Sequence, residues 1–132
     1  MNILKILTER RKTGNKGELA ALKYIKKRGY RILKTGYVAA SHEIDIIAEN
    51  KDTRAFIEVK TRTDGKDILP RPASAVTKEK MRGIISAARI YSSFNVTDKY
   101  QRFDVIEVIL AENGDIKQIN FLEDAYRADS HR

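Results

Sequence analysis

The sequence predicts an α/β domain, a sheet of four to five strands with helices packed on it. Three observations carry this. Apolar residues recur at helical spacing in two segments and at alternating, strand-like spacing in five others, in the order helix, three strands, helix, two strands. Two strand-like runs, "HEIDIIAE" and "TRAFIEVKT", are separated only by "NKD", which is a hairpin signal. A chain of 132 residues, 42% hydrophobic and 33% charged, is long enough to bury one moderate core and too short for two.

The elements follow in order. "MNILKILTERRK" predicts a short amphipathic or frayed helix, its apolar run too short for a signal-peptide core or a membrane span. "GNKGELAALKYIKKRGY" predicts a helix from about Lys16 to Arg28, with Asn15 able to cap it and Gly29 able to end it. Its apolar stripe runs Ala21, Leu22, Ile25, which places Glu18 at the edge of the buried face. "YRILKTGYVAA" predicts a strand broken near Gly36.

In the hairpin, flanking a four-residue loop by Glu49 and Arg54 sets Asp45 opposite Glu58 and Glu43 opposite Lys60. One face then carries Ile44, Ile46, Ala48, Ala55, Ile57 and Val59; the other carries Glu43, Asp45, Glu58 and Lys60, with Ile47 and Phe56 nearer the turn. Pro70 and Pro72 mark residues 63–75 as a surface loop. "TKEKMRGIISAARIYSSF" predicts the second helix, capped by Thr77. "QRFDVIEVIL" and a shorter "IKQINF" predict the last strands, and "LEDAYRADSHR" a frayed turn or tail. The reading is one domain over 1–132, with 1–13 and 122–132 peripheral.

Composition excludes several chemistries. Without cysteine there is no disulfide, thiolate catalysis or thiolate metal site, in keeping with a reducing cytoplasm. With only His42 and His131, a histidine-rich metal centre is also excluded. The net charge of +8 is carried by residues 1–34 and 76–102, the two segments expected to hold helices, while the rest of the chain is acidic on balance. That distribution suits a polyanion such as DNA or RNA, although lysines and arginines also simply solvate exposed helix faces.

The chemistry-bearing feature is the polar face of the hairpin. Carboxylates facing each other on adjacent strands repel by about 0.2–1 kcal/mol when exposed and by more when buried. A hard divalent cation offsets this, because Mg²⁺ is held by one or two carboxylates with several waters. Lys60, on the same face, could orient an attacking water, stabilise phosphate charge or take a proton. Glu-x-Lys alone carries little weight, since Glu49-Asn50-Lys51 also matches it in the turn; its setting in an apolar strand beside Asp45 is what singles out Glu58-Val59-Lys60. A hairpin held by pairs such as Glu43 with Lys60 is the structural alternative. For Glu18 the alternative is a capping box with Asn15. Lys80 and Arg82, near the start of the second helix, are candidates for phosphate contact, whereas Arg102 reads as an ion-pair partner of Asp104.

Glu in a first helix, Asp, then Glu-x-Lys resembles the PD-(D/E)xK nuclease superfamily. "GNKGELAALKYIKKRGYRIL", "HEIDIIAENKDTRAFIEVKTR", "ASAVTKEKMRGIISAARIY" and "RFDVIEV" resemble more closely the YraN-like family of small bacterial proteins, which looks like the archaeal Holliday-junction resolvases. The resemblance covers most of residues 14–108. It implies a restriction-endonuclease-like fold, a central mixed sheet flanked by helices, and a nuclease site of Glu18, Asp45, Glu58 and Lys60. It further implies Mg²⁺ or Mn²⁺ on Asp45, Glu58 and the Val59 carbonyl, and a DNA substrate, including branched DNA. A two-strand cut of resolvase type would favour a homodimer. The alternative is a non-catalytic nucleic-acid-binding or adaptor protein on the same fold. One departure is His42, read here as a surface residue, where the family pattern usually has Gly before "EID".

Overall fold

Each face of the central sheet is covered by one long helix in the computed structural model, which describes residues 3–65 and 76–128. The order is α1 (Ile3–Lys27), β1 (Arg31–Ala39), β2 (His42–Glu49), β3 (Thr53–Thr63), α2 (Lys78–Phe94), β4 (Tyr100–Leu110) and β5 (Ile116–Tyr126). The strands lie in sequence order β1-β2-β3-β4-β5. All neighbours are antiparallel except β3 and β4, which are parallel because α2 crosses over between them. The mixed five-stranded sheet between two helices is consistent with the restriction-endonuclease-like fold.

Alternation along the strands feeds two cores. On the α1 side Ala20, Ala21 and Ile25 pack on Ile46, Ala48, Ala55, Ile57, Ile106 and Val108. On the α2 side Ile84, Ile85, Ala88 and Tyr91 pack on Ile44, Ile47, Phe56, Phe103 and Val105. Burying one of these large apolar side chains stabilises the fold by about 1.5–3 kcal/mol. Ile44 departs from the expected alternation: it joins the α2 core, not the face of Ile46. Its cross-strand partner Tyr37, one residue past Gly36 at φ 60°, packs against the same core.

Helix α1 does not start at Asn15. It begins at Ile3 and runs through Gly14 and Asn15, so the segment expected to be a separate frayed helix is its first part. A glycine inside a helix costs about 1 kcal/mol, too little to stop one that packing holds further along. The end is as expected: the Gly29 N–H donates to the Lys26 carbonyl and the Tyr30 N–H to the Ile25 carbonyl, a Schellman closure with Gly29 at φ 89°. Thr77 caps α2, its Oγ1 accepting from the Lys80 N–H at 3.1 Å.

The C-terminal segment is also more ordered than expected. β5 continues to Tyr126 because Tyr126 stacks on Phe103 at 5.4 Å and the Asp124 N–H donates to the buried Asp104 at 2.8 Å. Asp104 in turn binds Arg102, which also donates to the Tyr30 hydroxyl at 2.7 Å, the expected ion pair. Most of the predicted 63–75 loop lies outside the described residues. No described helix is long and apolar enough to cross a membrane.

Candidate functional site

The hairpin register is the one the loop length implies, from Glu49 opposite Arg54 to Ile46 opposite Ile57. There the ladder stops. The Asp45 side chain accepts the Val59 N–H through Oδ2 at 2.8 Å, and Glu43 pairs with Val38 on β1, not with Lys60. The strands thus part where the polar face begins, and a carboxylate fills the gap. The structural alternative of a Glu43–Lys60 pair is not realised: Lys60 lies 3.7 Å from Glu58 Oε1 instead.

Glu58 is buried, and its strongest partner comes from across the molecule. Lys80 Nζ sits 2.5 Å from Glu58 Oε1. Glu43, Asp45, Glu58, Glu79 and Lys80 line, with Ser41, His42 and Thr77, a cavity of about 380 Å³ between the β1–β2 turn and the start of α2. Arg82 is exposed on α2 outside that lining.

Glu18 feels the charge of two of these carboxylates, Glu43 and Glu58, from α1. It lies within a helix rather than at its start, so the capping-box alternative fails. Its position depends on the neighbouring residue: a Cβ on Gly17 would lie 1.9 Å from Thr61 Oγ1, so only glycine lets α1 come this close to β3. Glu18 lines a different cavity, of about 330 Å³, with Asn15 and Thr35.

Burial and like charge act together on the protonation of these groups. Burial first, and then the charges of Glu58, Glu18 and Glu43, push the Asp45 carboxyl up to about 7, against the opposing pull of the Val59 N–H. Burial, Glu43 and Glu58 raise Glu18 in the same sense. Burial and then the nearby Lys80 ammonium lower the Lys60 pKa. Lys80 moves the other way, because the Glu58 carboxylate outweighs the effect of burial.

The donor set is one of hard oxygens. Among the described residues no three His, Cys, Asp or Glu side chains stand together closely enough to hold a metal by themselves. Two carboxylates with no nitrogen or sulfur ligand suit Mg²⁺ or Mn²⁺, which keep several waters, and do not suit Zn²⁺. A cation held there would offset the burial and like-charge penalty that raises Asp45.

Sequence reasoning missed three supports of the site. One is the Lys80–Glu58 bridge. Another is Gly17, whose cost inside a helix is itself a signal. The third is His42, which is half-buried rather than a plain surface residue. Its ring lies against Gly83, where a Cβ would be 2.1 Å from ring atoms, and its Nδ1 is 2.8 Å from the Ala40 carbonyl.

Comparison with known proteins gives the family of the chain. A family profile described as uncharacterised protein family UPF0102 matches residues 17–108, which hold Glu18, Asp45, Glu58, Lys60 and Lys80. A UPF0102 protein of Clostridium acetobutylicum is 41% identical over 118 residues, 89% of this chain and 95% of the relative. One of Chloroherpeton thalassium is 39% identical over 121 residues, covering 86% and 92%, and one of Parabacteroides distasonis 38% over 115 residues, covering 87% and 92%. The chain therefore belongs to the UPF0102 family, the YraN-like family.

Proposed function

We propose that this protein is a metal-dependent nuclease that hydrolyses phosphodiester bonds in DNA, branched DNA included. The observation that carries the reading is the pair of carboxylates Asp45 and Glu58 lining one cavity where β2 and β3 part, with Lys80 2.5 Å and Lys60 3.7 Å from Glu58.

Asp45 and Glu58 would hold Mg²⁺ or Mn²⁺, with the Val59 carbonyl as a further ligand; once bound, the ion neutralises phosphate charge and acidifies water. Lys60 has a depressed pKa and lies beside Glu58, where it positions a water and shields charge on the phosphate. Glu18 supports the cluster from the α1 side through a bound water or a second ion. The Val59 N–H holds the Asp45 carboxylate in place. Lys80 and the exposed Arg82 meet the backbone of the nucleic acid, which predicts low sequence selectivity and steep salt dependence.

The test is calorimetric titration of Mn²⁺ into wild type, Asp45→Asn and Glu58→Gln, followed by assay of each on linear, flapped and four-way-junction DNA. Metal binding lost in both variants, with metal-dependent cleavage by wild type that Lys60→Ala abolishes, supports the nuclease. A second reading, a non-catalytic nucleic-acid-binding protein, is favoured by the Lys80–Glu58 bridge, which already balances one buried carboxylate. It predicts DNA affinity indifferent to Mn²⁺ and to Asp45→Asn.

A further inference from the structure

Lys80 occupies an unusual place for a cation. It is the third residue of α2, in the first turn, where the helix dipole disfavours positive charge by about 0.3–1 kcal/mol. Its side chain is nonetheless directed at a carboxylate on the neighbouring strand, 2.5 Å away, closer than Lys60 at 3.7 Å. Glu58 is only 6% exposed and needs a counter-charge; the Lys80 side chain is 37% exposed, on a flexible four-carbon stem at the rim of the cavity.

Resting on the nuclease reading above, we propose that Lys80 is a tethered stand-in for the metal at Glu58, displaced when the ion binds and thereby released to contact the substrate phosphate. The argument is one of shared ligands. The Glu58 oxygen that Lys80 holds at 2.5 Å belongs to one of the two carboxylates available to a cation, so an ion bound there and the ammonium compete for the same charge and repel each other across it. An ammonium turned away from Glu58 stays anchored at the start of α2, facing a cavity whose other described charged side chains are the carboxylates Glu43, Asp45 and Glu79. An incoming phosphate competes for it there with the carboxylates of Glu43 and Glu79. Metal binding carries the cost of breaking the bridge, and phosphate binding recovers it. The two ligands therefore favour each other, reciprocally, through one side chain.

The experiment is titration of MnCl₂ into the full chain as wild type, Lys80→Met, Lys80→Gln, Lys80→Arg and Asp45→Asn, with thermal melts of each in EDTA and in Mn²⁺. Duplex-DNA anisotropy in EDTA and in Ca²⁺ completes it. Removing the competing ammonium should tighten Mn²⁺ binding by about tenfold or more in Lys80→Met and Lys80→Gln, and Lys80→Arg should stay close to wild type. Mn²⁺ should raise the melting temperature of Lys80→Met more than that of wild type, since Glu58 there lacks its nearest counter-charge. In Ca²⁺ the salt slope of DNA binding should be smaller by about one in Lys80→Met, and in EDTA unchanged. Mn²⁺ affinity in Lys80→Met and Lys80→Gln equal to or weaker than wild type overturns the stand-in role. If Asp45→Asn still abolishes binding in that case, the nuclease reading survives. No Mn²⁺ binding by any of the proteins overturns both.

Discussion

Asparagine at position 45 should make the metal-free protein more stable, and only above acidic pH. In the folded chain the Asp45 carboxyl is pushed from its ordinary 3.8 up to about 7, by burial first and then by Glu58, Glu18 and Glu43. The sign follows from proton counting. Between these two values the folded state holds a proton that the unfolded chain has released, so stability falls as pH rises through this window, and above it the full penalty persists. A shift of about 3 units at 1.36 kcal/mol each sets a ceiling of about 4 kcal/mol. Because the site opens onto a surface cavity, relaxation and screening should leave about 1–2 kcal/mol of it. Asparagine removes the charge and keeps an oxygen to accept the Val59 N–H. Urea unfolding in EDTA from pH 4 to 8 measures this. Asp45→Asn should match wild type near pH 4 and exceed it at pH 8, with the m-value unchanged. A variant less stable than wild type at pH 8, or a difference independent of pH, would refute the claim that burial and neighbouring charge penalise the Asp45 carboxylate.

Three further outcomes follow from other parts of the molecule. Gly17→Ala drives a methyl into Thr61 and should cost about 1–3 kcal/mol of stability and weaken Mn²⁺ binding; Thr61→Ala in the same chain should restore most of the stability, a coupling that a double-mutant cycle reads directly. Arg54→Met strips buried Glu49 of its 2.8 Å partner. Burial alone would raise the Glu49 pKa, but hydrogen bonds from Arg54 and Lys99 outweigh it and hold the pKa below the ordinary value. The stability these bonds confer is present above the ordinary carboxylate range and lost as pH falls through the lowered pKa. The variant should thus lose about 3 kcal/mol at pH 7 and less at pH 3, in denaturant midpoints, whereas equal losses would assign the effect to packing of Arg54 over the Tyr91 ring. Finally, Ala40 and Ser41 form the two-residue β1–β2 turn with φ of 52° and 62°, where Asn-Gly is at ease. Ala40→Asn with Ser41→Gly should stabilise by about 1 kcal/mol, seen as a higher melting temperature, and no gain would mean the turn is not strained.

The sequence by itself determined what depends on local period and local chemistry. The loop length set the hairpin register, from Glu49 opposite Arg54 as far as Ile46 opposite Ile57. The Thr77 cap, the Gly29 stop and the Arg102–Asp104 pair were legible for the same reason, since each is an interaction between residues within a few positions of one another. Tertiary structure decided the rest, because contacts between distant residues leave no periodic trace. Whether Asn15 caps a helix or lies inside one is not set by its own preference. The stacking of Tyr126 on Phe103 carries β5 past its apparent end, and the move of Ile44 to the α2 core breaks a strict alternation. Most consequential is Lys80, 22 residues from Glu58 along the chain and 2.5 Å from it in space: only the packing of the crossover helix α2 on the sheet turns a lysine on an exposed-looking helix into the counter-ion of a buried carboxylate.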